Sequence, residues 1–169
     1  MNTVSVEVPL PELAYGLARP QDITHLSGLE VMRNIVAKEL PAPPIVQTTK
    51  QWIHEVSEGH CTFLGIPSEA FLNPMGIIHG GWTMALLDSA LGCAVQSSLL
   101  PGELFSSLGT EVKFIRPIRA DTGQVVCNAQ LENRANRTAT AYGRVTDAEG
   151  NLLATGTTTC FIKPVEARP

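Results

Sequence analysis

Residues 73–100 read NPMGIIHGGWTMALLDSALGCAVQSSLL, and this stretch decides how the rest of the chain is arranged. It opens as a turn, with Asn73-Pro74 and the glycines Gly76, Gly80 and Gly81 interrupting any earlier periodicity. From Trp82 onward there is no proline and the residues are apolar nearly all round, which predicts a helix buried on most sides. Pro101-Gly102 ends it. His79, Asp88, Gln96 and the scattered serines and glycines distinguish the segment from a membrane span.

Working upstream, Gln51–Val56 and Cys61–Ile66 read as two short strands turning at Glu58-Gly59. Before them, Ser27 with Glu30 three residues on forms a capping-box pattern, and residues 27–40 place Leu29, Met32, Ile35, Val36 and Leu40 on one helical face. Pro41, Pro43 and Pro44 are expected to stop that helix. Residues 1–26 lack sustained periodicity and are expected to form an N-terminal extension that covers the sheet or reaches a neighbouring subunit, ahead of a domain over 27–165. Downstream of Glu103 the period changes to two. Residues 105–117, 122–133, 137–147 and 151–164 predict four strands joined by short turns, a largely antiparallel meander. The sum is an α+β architecture: a curved antiparallel sheet wrapped around one long buried helix, with an additional N-terminal helix. One sheet cannot cover such a helix from every side, so a second subunit is expected.

Composition narrows the function classes. The 169 residues are 44% hydrophobic, 17% charged and 5% aromatic, which fits one globular domain with an aliphatic core and apolar surface left for a partner subunit. Sixteen acidic against twelve basic residues argue against a general nucleic-acid binder. Met1–Leu10 has no basic segment ahead of an apolar one, so no secretory signal is expected. Cys61, Cys93, Cys127 and Cys160 form no Cys-x-x-Cys pair, and the four histidines form no ligand ladder with them. Reduced thiols in a cytoplasmic protein, without a metal, are expected.

The chemistry concentrates where the turn meets the helix. Backbone N–H groups at Gly80 and Gly81 would stand at the positive end of the helix dipole, where they can hold a carbonyl oxygen as it becomes an oxyanion. Asp88 is the acidic residue inside the apolar helix, and a carboxylate there must be paired, hydrogen-bonded or functional. His79 and Asn73 each have a structural reading, as a hydrogen-bonding residue and a turn starter. Each also has a functional one, in orienting a carbonyl or holding water. Eight residues separate Gly80 from Asp88, about 12 Å of helical rise. A base and an oxyanion donor must both lie within about 3 Å of one reacting centre. If both act, an antiparallel pair of helices in a dimer is the natural solution.

The segment NPMGIIHGG, with an Asp nine residues after the His, resembles the PaaI-like acyl-CoA thioesterases of the hotdog-fold superfamily, and the likeness runs from about Leu29 to Pro164. It includes LPAPPI before the first strand and VKFIRPIRADTG after the helix. The resemblance implies that Asp88 is the catalytic carboxylate, as general base or as nucleophile. It implies further that the Gly80 N–H polarises the thioester carbonyl, that His79 and Asn73 support that site, and that Ser107 helps to place the water. Gly81, Arg116, Pro117, Arg119, Arg134 and Arg137, with Lys113 nearby, are expected to meet coenzyme A; for the arginines and the lysine a solvated hairpin tip is the alternative reading. The coenzyme is part of the substrate, and no cofactor is implied. A homodimer, or a dimer of dimers, is implied as well.

Two other classes share the fold. A non-catalytic acyl-CoA binding protein has no need of Asp88 in the helix. A hotdog hydratase or dehydratase would pair a His with a carboxylate for proton transfer at carbon. Trp82, Phe71 and Leu72 are candidates to line an acyl tunnel.

Overall fold

The computed structural model describes residues 8–164; residues 1–7 of the expected extension, and residue 165, lie outside them. Six strands form one antiparallel sheet: β1 (Gln51–Ser57), β2 (His60–Gly65), β3 (Glu103–Phe114), β4 (Val125–Arg134), β5 (Thr138–Thr146) and β6 (Leu152–Pro164). Their order is β1-β2-β4-β5-β6-β3. The long helix, Gly80–Gln96, lies across the concave face and is labelled α4, following α1 (Pro20–Ile23), α2 (Gly28–Val36) and α3 (Pro44–Thr49).

The expected four-strand meander holds for β4, β5 and β6 and fails for β3. β2 already occupies the edge of β4, pairing from His60↔Gln130 to Gly65↔Val125. β3 therefore crosses to the free edge of β6, pairing from Glu103↔Pro164 to Phe114↔Ala154. Register shifts at Ile53/Glu55, Ser107/Gly109, Leu131/Asn133 and Val145/Thr146 bend the strands around the helix.

Leu86, Leu87, Ala90, Leu91, Ala94 and Val95 of α4 are fully buried against the sheet. Gly143 and Gly156 are cross-strand partners beneath Leu87. A Cβ on Gly156 would stand 3.2 Å from Leu87 Cδ2, and one on Gly143 would stand 3.5 Å from the same atom, so the glycines let the helix settle close to the strands.

The capping box at α2 forms as read: the Ser27 N–H donates to Glu30 Oε2 at 2.7 Å, and the Glu30 N–H donates to Ser27 Oγ at 3.3 Å. The helix is shorter than the expected 27–40. It ends at Val36 because Lys38 turns left-handed at φ 65°, and Glu39 and Leu40 both donate back to the Asn34 carbonyl. Pro44, expected to be a stop, instead opens α3 at its first position.

The described part of the N-terminal extension covers the sheet. Val8, Leu10, Leu13 and Tyr15 pack with Ala42, Val46, Trp52 and Leu64. Trp52 and Leu64 alternate along their strands with Ile53 and Phe63, which face α4, so this second cluster lies on the sheet's outer face. The Gln124 side chain ties the segment down, accepting from the Val8 N–H at 3.1 Å and donating to the Val8 carbonyl at 2.6 Å. Among the described residues, no helix is long and apolar enough to cross a membrane.

Candidate active site

α4 is not covered on every side. Gly81, Met84 and Asp88 form a stripe that the sheet does not reach, so Asp88 is exposed in the single chain rather than buried as expected. The reason is that α4 runs antiparallel to the edge strand β3, and among the described residues no strand pairs beyond that edge. A Cβ on Gly80 would meet Phe114 Cζ at 3.0 Å, and one on Gly92 would meet Phe105 Cζ at 3.0 Å.

Asp88 Oδ1 accepts from Thr110 Oγ1 at 3.1 Å and from Ser107 Oγ at 3.4 Å. Ser107 was expected near the carboxylate; Thr110 was not. Strict alternation would put Ser107 and Thr110 on opposite faces, but the bulge between Ser107 and Gly109 brings both to the α4 side. The signal that could have marked the bulge is Gly109, an isolated glycine inside a strand pattern.

Asp88 and Ser107 also line a cavity of about 270 Å³ between α2, α3, β1 and α4. Its walls include Met32, Ile53, Phe63, Gly92, Cys93 and Phe105, so an apolar chamber adjoins the carboxylate. Trp82, Phe71 and Leu72 are not among the lining residues. Trp82 instead stacks with Phe71 at 5.8 Å and donates its indole N–H to the Thr49 carbonyl at 2.8 Å, a structural role.

The turn before α4 builds a second site. Asn73 Oδ1 accepts from the Met75 N–H at 2.9 Å and the Ile77 N–H at 3.3 Å, holding the loop closed. His79 is the N-cap of α4, and its Nδ1 accepts from the Gly81 N–H at 2.9 Å. That bond uses the Gly81 donor and leaves the ring proton on Nε2. Among the described residues nothing accepts from the Gly80 N–H. Gly80, Asn73, Arg116 and Pro117 line a separate cavity of about 370 Å³ with Phe114 and Ile118. The two halves of the expected site thus fall in different cavities of one chain, with Asp88 and Ser107 in one and Gly80, Asn73, Arg116 and Pro117 in the other.

The expected arginine group divides too. The Arg116 guanidinium donates to the Leu152 carbonyl at 2.7 Å, at the start of β6. Arg119, three residues on, is exposed. Arg137 stacks over Phe161 at 4.9 Å, near the end of β6. Nine residues of strand separate Leu152 from Phe161, roughly 30 Å. Arg134, at the Arg137 end, is held by Glu103 through a paired contact at 2.8 and 3.0 Å. Lys113 pairs with Glu111 at 3.4 Å. Burial alone would raise the Glu103 carboxyl, but the Leu100 N–H and the Arg134 guanidinium together hold it below the ordinary range.

Known proteins share this fold. The thioesterase superfamily model matches residues 75–154, which span α4, β3, β4, β5 and the first residues of β6. A phenylacetic acid degradation-related protein from Ralstonia eutropha JMP134 superposes with a TM-score of 0.70 at 30% identity, covering 77% of this chain and 98% of that one. A variant of the phenylacetic acid degradation protein PaaI from Thermus thermophilus gives 0.63 at 29%, covering 70% and 97%. The PaaI protein of the E. coli phenylacetic acid degradation operon gives 0.64 at 19%, covering 69% and 82%, a likeness of fold. No curated protein matches the sequence. In sequence and in fold, the chain belongs to the hotdog thioesterase superfamily and is a PaaI-like member of it.

Proposed function

We propose that the protein hydrolyses acyl-CoA thioesters, with Asp88 as general base and the Gly80 N–H of a second copy polarising the carbonyl. The observation that carries this reading is the setting of Asp88: a carboxylate with two hydroxyls at the wall of an apolar chamber able to take an acyl chain. Asp88 takes a proton from water as the water oxygen attacks the thioester carbon. The oxyanion is held by the Gly80 N–H at the helix N-terminus, where one such donor is worth about 3 kcal/mol. When the intermediate collapses, the C–S bond breaks and the thiolate of coenzyme A receives the proton from Asp88. Ser107, on the same cavity wall, holds the water in this reading. Coenzyme A belongs to the substrate, and the reaction so written uses no cofactor.

A second copy is supported by the free edge of β3. Leu104, Leu108, Phe114 and Ile115 are exposed along and just beyond it, and Met84 of α4 is exposed as well. Two such chains set antiparallel would bring each Gly80 towards the other chain's Asp88, and the Arg116 end of one sheet towards the Arg137 end of the other. The coenzyme phosphates fall to Arg116, Arg119 and Arg137 in this arrangement, and two such dimers can associate further. The free thiols suit a reducing, cytoplasmic setting.

The test is thiol release from a panel of acyl-CoA substrates by the wild type and by Asp88→Asn. Turnover is expected to fall about 10²–10⁴-fold in the variant, with circular dichroism and oligomer size unchanged. Retained turnover removes Asp88 from the mechanism.

A further inference from the structure

Three oxygen contacts run inward from Asp88. Thr110 Oγ1 lies 3.1 Å from Asp88 Oδ1 and 3.2 Å from Thr158 Oγ1, and Thr158 Oγ1 lies 3.1 Å from the Gly109 carbonyl oxygen. Thr158 is 3% exposed, so water does not compete for its hydroxyl. Each threonine has a single proton to donate. While Asp88 is ionised, two protons serve three contacts, and one contact is always without a proton. Once Asp88 carries a proton, the third is present and every contact can be a hydrogen bond. Asp88 then donates to Thr110, Thr110 to Thr158, and Thr158 to the Gly109 carbonyl.

We propose that Thr110 and Thr158 form a hydroxyl relay that serves Asp88 in both protonation states, making the buried Thr158 a positioning residue for the reaction. The inference rests on Asp88 acting as the base. In the ionised state Thr110 donates to the carboxylate, and Thr158 donates either to Thr110 or to the Gly109 carbonyl. As Asp88 takes the proton from water, both hydroxyls turn about their Cβ–Oγ bonds and point away from it. No covalent bond of the relay breaks, and no proton passes beyond Asp88. The protonated carboxyl thereby gains Thr110 Oγ1 as an acceptor.

The two hydroxyls have opposite effects on proton affinity. Removing the Thr110 hydroxyl takes a donor from the carboxylate and favours the protonated acid. Removing the Thr158 hydroxyl leaves that donor but deprives Thr110 of an acceptor in the protonated state, which favours the carboxylate. A role confined to packing gives no such opposition.

Other titratable groups surround the site. On β6, burial raises the Cys160 thiol above its ordinary range, and the Asp88 charge adds to this. Glu111 and Lys113 of β3 pair with each other, Lys38 lines the same cavity as Asp88, and in the proposed dimer His79 of the second copy stands next to its Gly80. All are present in every variant, so differences between variants isolate the relay.

The experiment follows the Asp88 carboxyl carbon by NMR through a pH titration, with Asp88→Asn assigning the resonance, in the wild type, Thr110→Val, Thr158→Val and Thr158→Ser. Thr110→Val is expected to raise the midpoint by about one pH unit, and Thr158→Val to lower it by up to about one. Thr158→Ser, which keeps the hydroxyl, should match the wild type. In thiol-release assays Thr158→Val should lose several-fold in kcat with little change in KM. Shifts in the same direction, or an unmoved midpoint in Thr158→Val, overturn the relay. A wild type that cleaves no acyl-CoA overturns the proposed function instead, and the NMR titration still decides the relay.

Discussion

Gly28 of α2 packs so closely on Gln96 of α4 that a Cβ would stand 1.8 Å from the Gln96 carbonyl oxygen. The Gly28 N–H also donates to the Leu99 carbonyl at 2.9 Å. Since the obstructing atom is backbone, no rotamer change relieves it. This contact seats α2 across the end of α4 and sets the position of Met32, and so of the cavity wall beside Asp88.

Gly28→Ala should therefore push α2 outward. Overpacking of this kind costs about 1–3 kcal/mol, a fall of roughly 4–8 °C in Tm for a chain of this size if the loss is about 2 kcal/mol. Thermal unfolding checks it. An unchanged Tm would mean that α2 is not held by this contact.

Gly80 is the first residue of α4, a position where proline is tolerated. Gly80→Pro deletes the N–H proposed to hold the oxyanion; its ring displaces the exposed Phe114 side chain, which a Cβ would meet at 3.0 Å, and kcat should fall about 10²–10³-fold. Mixed with Asp88→Asn subunits and allowed to exchange, the two inactive chains should recover roughly a quarter of wild-type activity, because half of random dimers are mixed and each holds one intact site. No recovery after verified exchange would exclude a site shared between copies.

Burial pushes the Cys127 thiol up to about 12, and the neighbouring Cys93 thiol together with burial pushes Cys61 up further. The folded state thus favours the protonated thiols. Below the ordinary thiol range the two states bind the same protons and stability is unaffected. Above about pH 8.5 the unfolded chain releases them first, and stability falls by up to about 1.4 kcal/mol per pH unit for each such thiol. Urea midpoints from about pH 7 to 10.5 should be flat and then drop, with a shallower drop in Cys127→Ala.

Much of the site's raw material was legible in the chain. Ser27 with Glu30 marked a helix start, and His79-Gly80-Gly81 marked another, because caps are satisfied by residues three or fewer positions away. Asp88, Asn73 and Gly80 could be singled out as candidates by type and spacing, and Ser107 by the family resemblance alone. Thr110 is missed by strict alternation, because the bulge at Gly109 changes which residues of β3 share a face; that isolated glycine is the mark the sequence carries of it. The end of α2 was misplaced because the left-handed turn at Lys38, rather than the prolines, stops the helix.

The amino-acid sequence by itself determined the local elements: the long apolar helix, its glycine-rich entry, the β-branched strands and a carboxylate placed among leucines. Tertiary structure decided what those elements mean together. It sent β3 to the free edge of β6, and so left the Asp88 stripe of α4 open. It also separated Arg116 from Arg137 by the length of a strand, and set Thr158 against Thr110 across 48 residues of chain. The physical reason is one of range. Helical and capping bonds join near neighbours, whereas strand order and register depend on which edge is free when distant segments meet.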